Sequence, residues 1–175
     1  NGGESVSPEF EIESEFATID GLTLGLNAGY TDSHLTSTVT GADYLMTDYQ
    51  LPYAPEVTAA ITADYDWPVG NGLTASVGGA YRYTGEQYLS LVQDASSEFS
   101  WMPSVEAPSH SLVDMHATIS GGQWTVSLVV NNLANTRKIS GAGYLNNDNY
   151  VTGTQQLNIT DLRPRTLTLG VDYSF

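Results

Sequence analysis

The carboxy-terminal stretch Leu167–Phe175 constrains the chain most. Leu167, Leu169, Val171, Tyr173 and Phe175 are apolar, while Thr168, Gly170, Asp172 and Ser174 are polar or small. Successive side chains of a strand point to opposite faces, so this period of two predicts a strand with one apolar and one wet face. One such strand suits a soluble sandwich equally well. What decides is whether the rest of the chain repeats it, and at what length.

It repeats. Strand-like alternation recurs at Phe10–Phe16, Leu22–Tyr30, Val57–Trp67, Leu73–Tyr83, Leu112–Ser120 and Trp124–Leu133, which with Leu167–Phe175 makes seven segments. The connections alternate strictly in length. Asp20-Gly21, Pro68–Gly72 and Gly121-Gly122 are short turns. The stretches of about 31–55, 85–108 and 135–162 are long and polar. In an antiparallel meander every short turn then falls at one end and every long loop at the other. Strands of about 9–11 residues with that asymmetry are the pattern of a transmembrane β-barrel. The aromatics agree: Phe16, Trp67, Trp124, Tyr173 and Phe175 fall toward the short-turn end, and Tyr30, Tyr81 and Tyr83 toward the long-loop end. Two aromatic girdles flanking a band of Leu, Val, Ile and Ala are what a bilayer selects. The expected fold class is all-β: an antiparallel up-and-down meander of about seven long strands, part of a transmembrane β-barrel.

Composition narrows the function. The formal charge is −15, from 20 acidic and 5 basic residues, which leaves no basic footprint for nucleic acid. There are no cysteines, so no disulfide or thiolate metal site. No apolar run reaches the roughly 18 residues of a spanning helix. The opening Asn1-Gly-Gly-Glu-Ser lacks a basic-then-apolar signal; the expectation is a mature chain or a piece of a longer one.

The polar faces carry Glu11, Glu13, Glu15, Asp64, Asp66, Asp114 and Asp172, with Arg82 as their clear cation. Charges at a lipid-facing midplane position cost up to roughly 2–4 kcal/mol each, so this face must line a wet or partnered lumen. Seven strands enclose little, and bacterial single-chain barrels have even strand numbers from about eight upward. Either a strand is hidden in 135–162, or the chain is part of a larger barrel.

Several motifs resemble those of TonB-dependent outer-membrane receptors. Leu51-Pro-Tyr-Ala-Pro55 leads into a strand. Ser111-Leu-Val-Asp-Met115, Gly-Gly and Trp124–Leu133 follow in order, with Asn131-Asn-Leu133 similar to the family's Asn-Leu-Phe-Asp strand end. Ala134 and Asn135 replace its aromatic and acidic residues. Arg163-Pro-Arg165 precedes the last strand. The resemblance spans about residues 5–175. It implies that 1–175 is a carboxy-terminal segment of a barrel of about 22 strands with a plugged lumen, the plug and remaining strands being absent. It also implies a bacterial outer-membrane location and active uptake powered by the TonB complex through the missing amino-terminal part. The solute class would be a ferric siderophore, a cobalamin or an oligosaccharide. Partners would be outer-membrane lipid, the plug domain, the barrel-assembly machinery and the small-molecule solute. Tyr173 and Phe175 would be the assembly signal. The competing readings are a small standalone outer-membrane barrel of structural or adhesive role, and a soluble β-rich binding domain.

Catalysis is not expected. No Gly-x-Ser-x-Gly elbow or phosphate-cradling glycine loop occurs, and no cofactor is called for. His116 with Asp114, and Asp32 with His34, have the spacing of half a metal site, but lumen-facing polar pairs explain them more simply. Gly78-Gly79 is expected to ease strand curvature. Loops on a rigid scaffold carry recognition, so the ligand-binding candidates are the loop aromatics Tyr44, Tyr49, Trp101, Tyr144 and Tyr150, which could stack on a sugar or aryl ring. The run Asn146–Asn149 reads as a solvated turn.

Overall fold

The computed structural model describes residues 3–38, 47–91, 104–145 and 156–175. Its strands in chain order are β1 (Ser5–Val6), β2 (Glu9–Ile19), β3 (Leu22–Thr31), β4 (His34–Leu35), β5 (Val57–Gly70), β6 (Leu73–Thr84), β7 (Gln87–Tyr88), β8 (Glu106–Ala107), β9 (His110–Gly121), β10 (Trp124–Asn131), β11 (Ile139–Leu145), β12 (Gln156–Asp161) and β13 (Thr166–Tyr173). Seven of them form one antiparallel sheet in the order β13-β10-β9-β6-β5-β3-β2. These are the seven segments expected from the alternation, joined as a meander.

The register shows why the alternation matters. One row of cross-strand partners reads Leu22, Tyr65, Val77, Ala117, Leu128, Leu169 across six strands. The adjoining row reads Thr23, Asp64, Gly78, His116, Val129, Thr168. Each strand's apolar set therefore meets its neighbour's apolar set, and a slip by one residue anywhere would put carboxylates among leucines. Among the described residues the sheet is a single layer with no second sheet or helix against it. Ile61 is 53%, Ile119 53% and Leu169 71% exposed. A soluble sandwich would bury that face under another sheet.

The short turns form as their residues dictate. Asn71 and Gly72 both take positive φ, 54° and 74°, as the tight hairpin turn matching strand twist requires. Here β5 runs to Gly70, past the end at Trp67 that the proline suggested. Pro68 is accommodated at the strand's end beside a register shift between Pro68 and Gly70, where a missing N–H does least harm. At the other end of the wall β10 stops at Asn131 rather than Leu133, because Asn132 turns to φ 52°.

The long polar stretches are not featureless. They hold three small ladders: β1 with β4, β7 with β8, and β11 with β12. Strands thus exist within 135–162, but among the described residues they pair with each other and add no eighth strand to the wall. Among the described residues, most of the buried apolar ones lie here too. Leu35 (4%), Leu89 (5%), Val105 (8%) and Ala107 (1%) are in these stretches, against Ala75 (6%) in the wall. Leu89, Val105 and Ala107 form a cluster against which Ile139, Ala142 and Leu157 pack, so the second and third long connections share a core.

Candidate functional site

Two regions carry chemistry: the wall's polar face, and the loop layer at the ends of β5 and β6.

On the polar face, adjacent strands bring distant residues into pairs. Arg82 on β6 donates to Asp114 Oδ2 on β9. The other oxygen, Asp114 Oδ1, accepts from the backbone N–H of Asn132 at 2.7 Å. His116 pairs not with Asp114, its neighbour in sequence, but with Asp64 Oδ1, at 3.2 Å from Nε2. Asp64 and His116 sit two strands apart, in the row that Gly78 occupies between them. A Cβ on Gly78 would collide with Asp64 Oδ1 and His116 Cε1. The absence of a Cβ at Gly78 thus clears the path for this bridge. Asn27 Nδ2 donates to Glu11 Oε1 at 3.0 Å. Glu13, Glu15, Asp66 and Asp172 have no cationic partner among the described residues. The face is acidic in excess of its own cations and open, so it offers carboxylates to whatever fills the space beside it.

Where β10 leaves the sheet, Asn132 (5% exposed) ties the third long connection to the wall. Its Nδ2 donates to Thr136 O (3.0 Å) and Arg163 O (2.9 Å), and its Oδ1 accepts from Thr136 N at 2.8 Å. Thr136 Oγ1 donates to Ser111 O at 3.0 Å. Arg165 N donates to Asn135 Oδ1 at 3.1 Å, and its guanidinium to Leu133 O at 3.3 Å. Both N–H groups and the oxygen of the Asn132 side-chain amide thus have partners, as a buried polar group requires. The Asn-Asn-Leu and Arg-Pro-Arg motifs, far apart in sequence, are two halves of this knot.

In the loop layer a concavity of about 390 Å³ is lined by Gln50, Glu56, Tyr83, Glu86, Tyr88 and Glu106, with Val57, Gly85, Gln87 and Ser109 completing it. Gln50 Nε2 donates to Glu56 Oε1 at 2.8 Å. The lining has three carboxylates, carboxamides and two tyrosines, and no cation. Of the sequence candidates, Tyr49 is half-buried next to Gln50, and its backbone carbonyl accepts from Leu35 N at 2.9 Å. Tyr144 falls on β11, opposite Leu157 in the ladder. Tyr44, Trp101, Tyr150 and the Asn146–Asn149 run lie outside the described residues. Sequence reasoning did not single out Tyr88, Glu56 or Glu106; only their position flanking the strand ends could have marked them. Asp32 Oδ1 and His34 Nδ1 do meet, at 2.9 Å, but no group of three metal-ligating side chains forms among the described residues.

At the opposite end the aromatics gather. Tyr65 stacks on Trp67 with centroids 5.3 Å apart. Trp124 meets Tyr173 at 4.5 Å, and Tyr173 meets Phe175 edge-on at 5.4 Å. Tyr173 Oη donates to Gln123 Oε1 at 2.9 Å. Tyr65 belongs to this girdle though the alternation alone did not assign it there. At the long-loop end Phe10 lies opposite Tyr30.

Comparison with known proteins follows the same lines. The family model "TonB dependent receptor-like, beta-barrel" matches residues 9–133, more than half of the chain. No curated protein matches it. Among solved structures, the ferric preacinetobactin receptor BauA of Acinetobacter baumannii superposes with a TM-score of 0.71 at 22% identity, covering 99% of this chain and 22% of that one. The ferric yersiniabactin uptake receptor FyuA of Yersinia pestis superposes with a TM-score of 0.76 at 12% identity, covering 99% and 24%. At those identities the likeness is one of fold, and the chain spans about a quarter of the length of either. With its two-faced seven-stranded meander and its family match, the chain belongs to the TonB-dependent receptor β-barrel family, whose members are outer-membrane receptors and not enzymes.

Proposed function

We propose that residues 1–175 are the carboxy-terminal segment of a TonB-dependent uptake receptor in the bacterial outer membrane, supplying barrel wall and outer loops. The observation that carries this is the open seven-stranded sheet with its sorted faces. Its edges, β2 and β13, do not pair with each other among the described residues. Backbone left unpaired in a bilayer costs several kcal/mol per group, so both edges call for further strands. The plug, the TonB complex and the barrel-assembly machinery are the partners of this reading, with Tyr173 and Phe175 as the assembly signal.

The polar face supports a plug contact, and the pairing refines which residues would make it. Asp64 and Asp114 are engaged within the wall by His116, Arg82 and Asn132. The carboxylates left to meet basic groups of a plug are Glu13, Glu15, Asp66 and Asp172.

The solute is a ferric siderophore, a cobalamin or an oligosaccharide, caught by the loop layer. Carboxylates and carboxamides beside tyrosine rings suit an uncharged, polyhydroxylated solute better than an anionic ferric chelate, which the field of a chain at −15 repels. Tyr44, Tyr49, Trp101, Tyr144 and Tyr150 remain the loop aromatics proposed to touch it.

The test is uptake of radiolabelled ferric siderophore, cobalamin and oligosaccharide by cells with and without this gene, each with and without TonB. Loss of one solute's uptake on removing either component is expected. Uptake of all three classes that survives removal of the gene would refute the reading; gene-dependent uptake that ignores TonB would point to a passive barrel.

A further inference from the structure

We infer that Tyr53 is a positioning residue that locks the three long connections into one body at the mouth of the receptor. The inference concerns the loop layer and does not depend on which solute is carried.

Tyr53 has φ 60°, in the left-handed region that suits glycine and is uncommon for a bulky aromatic. Its neighbours explain how it gets there. Leu51-Pro52-Tyr53-Ala54 carries proline second and the left-handed residue third, the pattern of a type II turn, whose third seat normally holds glycine or asparagine. Pro52 fixes its own φ, and Pro55 confines Ala54 to extended conformations. The segment has little freedom to relax around Tyr53. A glycine would sit in this turn without strain, so the turn itself does not explain a tyrosine.

The side chain does. Tyr53 Oη donates to the backbone carbonyl of Ala142 at 3.0 Å, and the N–H of Ala142 donates back to Tyr53 Oη at 3.5 Å. Ala142 lies on β11, 89 residues further along the chain. The backbone N–H of Tyr53 donates to Tyr88 O at 2.9 Å, and Tyr88 lines the concavity. The first long connection thus grips the second through its main chain and the third through its hydroxyl, at a single residue. Ala142 also packs on the Leu89–Val105–Ala107 cluster, so the hydroxyl holds the hairpin β11–β12 where that shared core needs it. Unlike the buried packing residues, Tyr53 is 54% exposed, which leaves hydrogen bonding rather than burial as its contribution.

Hydrogen exchange on the full-length protein, purified from its membrane, tests this. Tyr53→Phe deletes only the hydroxyl. It should speed exchange over residues 139–145 about tenfold, the scale expected for losing a hydrogen bond of ordinary strength, with wall peptides such as 110–121 unchanged. Tyr53→Gly should speed the same segment at least as much, although the turn is now unstrained. Replacing Tyr53 with 4-aminophenylalanine restores a donor to the Ala142 carbonyl and should return exchange toward the wild-type rate, which a packing role would not produce. Unchanged exchange over 139–145 in Tyr53→Phe, or no recovery with the amino group, would overturn the inference.

Discussion

The wall and the loop layer of this chain are built on opposite plans. The wall is ordered by its ladders and has almost no interior: its apolar residues face outward and its polar residues face the other side. The loop layer has short ladders and a real interior around Leu89, Val105 and Ala107. The difference follows from what each expects as surroundings. In a bilayer the wall's apolar face is solvated by lipid, so the sheet needs every backbone group paired but no core. On the proposed reading the loop layer stands in water and must bury apolar surface among its own side chains, each worth roughly 1.5–3 kcal/mol for a fully buried Leu or Val.

The contrast predicts where substitutions hurt. The largest effect is expected for a charge on the wall's apolar face. Ile61→Arg, mid-strand and flanked by Leu26 and Tyr81, should cost roughly 2–4 kcal/mol in membrane folding and sharply reduce the heat-modifiable folded form on gels. Thr62→Arg, one residue away on the polar face, should leave that form abundant. Equal losses would erase the distinction between the faces.

Next comes the loop core. Leu89→Ala should cost roughly 2–4 kcal/mol, but locally: exchange should rise over 104–107 and 139–145 while the wall peptides keep their protection. A smaller effect falls at the knot between the two regions. Asn132→Ala removes three side-chain hydrogen bonds at a left-handed, buried position, a loss of roughly 1–3 kcal/mol, visible as faster exchange at Thr136 and around Arg163. The smallest effect belongs to the polar face. Gly78→Ala drives Asp64 and His116 apart at their flexible ends, and such a part-exposed polar contact contributes at most about 1 kcal/mol. The melting temperature should barely move, while the imidazole resonances of His116 shift as its partner leaves.

The same contrast explains what the sequence could and could not disclose. The wall is legible because its rule is local: with a period of two, Leu22–Tyr30 or Trp124–Val130 states its own faces, and short turns such as Asn71-Gly72 state the connections. Strand ends were less legible, because Pro68 signals a turn that the strand outlasts by tolerating a register shift. The loop core was not legible at all. Leu89, Val105 and Ala107 follow no strand or helix period in their stretches, and only pairing across distant segments makes them neighbours. Partner choice on the polar face failed for a related reason. His116 and Asp114 look paired at i and i+2, yet register brings Asp64 over Gly78 to the imidazole and leaves Asp114 to Arg82. Of the tyrosines near the concavity, Tyr88 lines it while Tyr49 only precedes its lining residue Gln50 in the chain, and the sequence offered no reason to choose Tyr88. The motif Leu-Pro-Tyr-Ala-Pro was visible as a family resemblance, but the reach of Tyr53 to Ala142 was not.

The central claim is that this sheet is a membrane wall with lipid on one face only. The chain has no cysteine, so single cysteines can be placed at each position from 57 to 66 of β5 in the full-length protein and spin-labelled in native outer membranes. Collisions with oxygen, which concentrates in lipid, should be high at 57, 59, 61, 63 and 65, and low at the even positions between them. A flat profile, or labels on both faces equally accessible to a water-soluble relaxant, would contradict the account.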